Sequence, residues 1–214
     1  MKIKLHRFCI AAASLFFIYS SAICGETIEL SDKEKQILIS GEIIHKVLPT
    51  IGRPGKTFQA AGLISASVHS VYEVLTDFEK YHEFMPNNEK TIVLEKTERH
   101  AIVNITLGLP LNLYKKYRLS MFMEYDKNIA KVKWKKIEWP GLKLNETIKD
   151  TEGFWLISNF PEKADHVLAV YHVYTDPGPI HFFIKWIADW MAENSVPKMI
   201  IATKDRVDEL GSKK

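Results

Sequence analysis

The chain has 214 residues, 46% of them apolar and 26% charged, with 29 Lys+Arg against 26 Asp+Glu. That is the balance of a folded globular domain and excludes a disordered or collagen-like chain. A net charge of +3, spread along the sequence, excludes a nucleic-acid binder, and two cysteines exclude a disulfide scaffold.

Residues 1–24 read as a signal peptide. Lys2, Lys4 and Arg7 precede an uncharged run from Phe8 to Ile23, shorter than the roughly 20 residues that span a bilayer. Ala22-Ile23-Cys24 places small residues at the two positions a signal peptidase reads. Two alternatives stand beside cleavage: an uncleaved anchor, and a lipoprotein whose new N-terminus is Cys24, which Ile23 disfavours. Cleavage removes both cysteines and three basic residues, leaving a domain with no net charge. The expected location is secreted or periplasmic.

Residues 25–56 read as an extension with one short helix. Ser31-Asp32-Lys33-Glu34 is a capping box, and Gly41 supplies the stop. A strand follows over 57–67. Val71, Val74, Leu75 and Phe78 share a helical face, and a second short helix runs from Glu79 to Phe84. The period then becomes two, predicting strands near 90–97, 99–107, 113–125, 129–138, 146–159 and 164–175. Lys131, Lys133 and Lys135 alternate with Ala130, Val132 and Trp134, so one sheet face is wet and the other covered. Phe182, Phe183, Trp186, Ile187, Trp190 and Met191 form a stripe on a long C-terminal helix, which Pro197 is expected to break or kink.

The order predicts an α+β fold. A curved, seven-stranded antiparallel sheet wraps around the C-terminal helix, with two short helices between strands 1 and 2. Three connections fall at one end of this meander and are apolar, carrying Leu109, then Trp139 and Leu142, then Ile180. They either plug that end or form the entrance of an internal cavity. Leu119, Met121 and Met123 share one strand face, and Met191 and Met199 lie on the helix; flexible methionines suit an irregular apolar cavity, or plain core filling. Val132, Trp134, Trp155 and Val170 complete the candidate lining from the strands. Phe183, Trp186, Ile187, Trp190 and Met191 complete it from the helix.

His172 shares a strand face with Val170 and Tyr174, and is either a hydrogen-bonded core residue or a general base aimed at the cavity. His82 and Glu83 read as solvated surface charge. No nucleophile elbow, phosphate loop, dinucleotide fingerprint or zinc signature occurs, so no catalytic residue, metal or cofactor is assigned.

Val74-Leu75-Thr76-Asp77-Phe78-Glu79-Lys80-Tyr81-His82-Glu83-Phe84-Met85-Pro86 resembles the signature of START-type helix-grip proteins, the superfamily of polyketide cyclases/dehydrases and lipid transfer proteins. The coenzyme-Q-binding START proteins are the most similar to this motif. The resemblance covers about residues 57–210. It implies a helix-grip domain with an apolar cavity beneath the C-terminal helix, holding a lipid or isoprenoid-like molecule. It also implies structural roles for Asp77, Tyr81 and Pro86. Three functions remain open: a hydrophobe-binding protein, a cyclase- or dehydratase-type enzyme, and a module that docks a membrane or partner through apolar loops.

Overall fold

A computed structural model describes residues 28–178 and 182–212, with backbone only for 182–194. The compact unit holding the sheet runs from Ser31 to Lys214. Helix α1 (Asp32–Ile39) starts at the predicted capping box: the Glu34 N–H donates to Ser31 Oγ, and the Ser31 N–H donates back to the Glu34 carboxylate at 2.9 Å. It ends before Gly41, whose φ of 91° suits a residue without Cβ.

The strands are β1 (Ile44–Leu48), β2 (Lys56–Ile64), β3 (Asn88–Lys96), β4 (His100–Leu109), β5 (Leu113–Asp126), β6 (Ile129–Ile137), β7 (Asp150–Asn159) and β8 (Val167–Asp176). They form one antiparallel sheet in the order β1-β2-β8-β7-β6-β5-β4-β3. The fold class is as expected, but the strand count is eight. The extra strand, β1, lies inside the stretch read as an extension. It is a short edge strand of half-buried and exposed residues, with little alternation to announce it.

Two helices cover the concave face. Helix α2 (Val68–Thr76) packs on β5, β6 and β7, and its Ser67 cap accepts from the Ser70 N–H at 3.0 Å. A 3₁₀ turn (Phe78–Lys80) and helix α3 (Tyr81–Phe84) lead on to β3. Helix α4 (Phe182–Gly211) packs on β2 and β8 and against α2. It runs through Pro197 without interruption. A proline removes one helical hydrogen bond, yet Val196, Ile200, Thr203 and Val207 are buried around it, and this packing keeps the helix whole. Gly62 of β2 makes the approach close, because a Cβ there would lie 2.6 Å from Ile200. Glu83 does not stand alone as surface charge: it pairs with Lys80 at 2.9 Å and with Arg206 of α4 at 2.8 Å, joining α3 to α4.

The concave core contains Phe58, Ile64, Leu75, Phe78, Val103 and Met123 among others. The opposite face is apolar as well around β2, β7 and β8, where Ala61, Leu156, Leu168 and Val170 are buried. Helix α1 packs on β1 and β2 with Leu38 fully buried, and its Lys35 pairs with Glu162 in the β7–β8 loop at 2.6 Å.

Candidate functional site

Side chains of odd-numbered residues on β4, β5, β7 and β8, and of even-numbered ones on β2 and β6, point toward α2 and α4. Between that wall and the helices lies a cavity of about 240 Å³. Its strand-borne lining includes Phe58, Ile105, Leu119, Met121, Trp134 and Trp155. Met85, Pro86, Asn87 and Asn88 close it where the signature motif leads into β3, and Ser195, Val196 and Met199 enter from α4. The half-buried Leu107, Leu109, Lys115 and Pro177 lie at the end of the sheet where the apolar connections meet. Backbone bonds tie those connections together: the Lys116 N–H donates to Glu146 O at 2.8 Å, and the Lys149 N–H to Asp176 O at 2.9 Å.

The aromatic wall is specific in shape. Trp134 stacks on Tyr171 with ring centres 5.5 Å apart, and Trp155 meets that tyrosine at a tilt with ring centres 4.8 Å apart. The Trp134 ring lies over Gly153, where a Cβ would fall 2.4 Å from it. Gly153 is therefore the gap in β7 that allows an indole to lie against the sheet.

Most polar side chains in the wall already have partners. The Tyr81 hydroxyl donates to Leu75 O at 2.6 Å, so the motif tyrosine has the structural role expected and also faces the cavity. Asp77 ends α2, and its side chain makes no capping hydrogen bond. Asn87 Nδ2 donates to Ser195 Oγ at 2.8 Å, and the Thr151 hydroxyl to Tyr174 O at 2.8 Å. Lys115 Nζ donates to Asn145 O at 2.8 Å, and burial holds its pKa below the usual lysine value. Tyr117 and Tyr171 also line the cavity, and desolvation pushes both hydroxyls well above the usual tyrosine range.

Of the candidates read from sequence, Leu119, Met121, Trp134, Trp155 and Leu109 line the cavity. Met123 and Val132 share their face but are buried in the core beneath α2 rather than in the lining. Val170, His172 and Tyr174 are corrections: they point to the other face of the sheet. His172 stacks on Phe154 at 4.9 Å, and the Arg53 guanidinium lies 3.7 Å from the Tyr174 ring centre. Tyr171, Val173 and Thr175 occupy the positions that face inward. Trp139 and Leu142 are also displaced from the lining: Trp139 lies 5.4 Å from Arg118, and their connection reaches the cavity through Ile148 instead. Ile180 lies outside the described residues. So do the side chains of Phe183, Trp186, Ile187, Trp190 and Met191, whose backbone forms the first half of α4.

Sequence reasoning left Tyr171 undecided between touching a ligand and facing water, and missed Val173 and the Met85–Asn88 bend. No histidine or carboxylate lines the cavity among the described residues. No cluster there has the composition of a metal site, and no described helix is long and apolar enough to cross a membrane.

Among solved structures the chain is similar to a STAR-related lipid transfer protein from Xanthomonas axonopodis. The TM-score is 0.67 at 19% identity, over 78% of this chain and 93% of that one. It is similar also to human StAR-related lipid transfer protein 5, with a TM-score of 0.67 at 12% identity over 80% and 84% of the two chains. Human STARD10 follows with a TM-score of 0.60 at 14% identity, over 75% and 69%. These likenesses show a START-like fold. No curated protein matches the sequence. The sequence profile described as polyketide cyclase/dehydrase and lipid transport matches residues 64–199, a span reaching from the end of β2 into α4 and taking in most of the cavity wall. On that match the chain belongs to the polyketide cyclase/dehydrase and lipid transport family.

Proposed function

We propose that the protein binds, and in that form carries, a lipid or other hydrophobic small molecule in the cavity between the sheet and α4. The observation that carries this reading is the cavity itself: about 240 Å³ walled by Phe58, Leu119, Met121, Trp134 and Trp155. An apolar cavity of about 150 Å³ already holds a benzene-sized molecule. Affinity would come from apolar area removed from water, roughly 25 cal/mol per Å². Met85, Met121 and Met199 can adapt to irregular shapes.

The family description spans cyclisation, dehydration and transport. Binding is favoured over catalysis here because the candidate general base, His172, faces away from the cavity. An isoprenoid-like chain is one ligand that fits this wall. Brief membrane contact through the exposed Leu111 and Leu144, at the same sheet end as Leu109, would suit its uptake. Export through residues 1–24 belongs to the same proposal and is supported by their pattern alone. Isolation from the periplasm or medium of an expressing cell tests these points together. The expected result is a chain beginning at Gly25 that yields a lipid on organic extraction and mass spectrometry. A chain that yields none, and takes up none when mixed with a total lipid extract, contradicts the binding reading.

A further inference from the structure

The cavity wall is apolar except at a few points, and most of those are already engaged. Tyr81, Thr151, Asn87 and Lys115 each donate to a named protein acceptor. Asn88 and Thr91 bond each other at 2.9 Å. Two groups differ. The hydroxyls of Tyr117 and Tyr171 make no hydrogen bond among the described residues, although both rings line the cavity. Both residues are half-buried and neither hydroxyl is a sealed, unpartnered atom, so each is reachable by a partner. A phenol in apolar surroundings ordinarily finds one, because an unmade hydrogen bond there is costly.

Tyr171 is also held firmly. Trp134 stacks on it and Trp155 packs against it at a tilt, so its ring is held before anything binds. Desolvation favours the neutral phenol at both tyrosines, which is the form that donates.

We propose that Tyr117 and Tyr171 are the polar recognition points of the cavity, donating to uncharged oxygen acceptors (ketone, ester or ether oxygens) on an otherwise apolar ligand. This deepens the hydrophobe-binding reading and rests on it. The ligand class it names is a neutral, oxygen-bearing hydrophobe, as against a bare hydrocarbon or an anionic amphiphile. A carboxylate would have to find its cation in Lys115, which lies at the sheet end and already donates to Asn145 O.

Three probes of matched length separate the possibilities: methyl octyl ketone, undecane and decanoate, each titrated against the delipidated full chain by displacement of a bound apolar fluorophore. The wild type is expected to bind the ketone more tightly than undecane. In the Tyr117→Phe/Tyr171→Phe double variant ketone affinity should fall about three- to tenfold for each hydrogen bond lost. Undecane affinity should hold or rise, which also shows that the variant is folded. An unchanged ketone affinity in the double variant overturns the inference. So does a wild type that prefers decanoate, with that preference lost in Lys115→Met and not in the tyrosine variant. If undecane binds and the ketone binds no better, this inference falls and the cavity reading stands. If no probe binds the wild type, the cavity reading falls and this inference with it.

Discussion

Gly153 is the residue whose replacement is most informative about the cavity wall. A Cβ at this position would meet His172 O at 2.2 Å and the Trp134 ring at 2.4 Å. The carbonyl belongs to the partner strand and cannot withdraw without breaking the β7–β8 ladder. Gly153→Ala is therefore expected to destabilise the fold by about 1–3 kcal/mol, the usual cost of overpacking. It should also turn Trp134 off Tyr171. Urea unfolding checks the first effect and tryptophan fluorescence the second; a variant with wild-type midpoint and emission contradicts both. A glycine in mid-strand advertises a close approach in the sequence, but not its partner.

The strands differ in how openly they show which side faces inward. On β6, lysines 131, 133 and 135 alternate with apolar residues, and the inward face follows directly. On β8 the alternation carries no such information. Val167, Ala169, Tyr171 and Val173 face the cavity side, while Leu168, Val170 and Tyr174 are buried on the other. With both faces covered, periodicity cannot say which is which, and that is why His172 could be aimed at the cavity from sequence alone. The cover on the second side includes α1, which Glu34 joins to the edge strand β1. A hydrogen bond from Lys46 of β1, and then those from Ser31, hold the Glu34 carboxyl down to about 2. A carboxyl with a lowered folded pKa stabilises the fold above its unfolded value, 4.5, and that contribution is lost as pH falls from about 4.5 to about 2. Glu34→Gln should therefore unfold at lower urea than the wild type at neutral pH, and the gap should close over that window. A gap that stays constant with pH contradicts this account of the contact.

For the molecule as a whole, the architecture was far more legible than the site. Periodicity, caps and the Val74–Pro86 signature are local signals, and they led to the helix-grip fold with one edge strand missing. The cavity is a property of what the fold leaves unfilled. Asn87 meets Ser195 across 108 positions of sequence, and Trp134 meets Tyr171 between non-adjacent strands. Such juxtapositions leave no spacing to read. Leu119, Met121 and Trp134, on well-alternating β5 and β6, could be placed in the wall beforehand, as could Trp155 of β7 and Leu109 at the end of β4. The central claim is that a hydrophobic molecule occupies this cavity. Native mass spectrometry of the lipid-loaded wild type beside Leu119→Trp, which fills the cavity from its floor, tests it most directly. The account predicts a single bound mass of lipid size on the wild type, released on activation, and its loss from the folded variant. Equal bound mass on both proteins, or none on either, would contradict it.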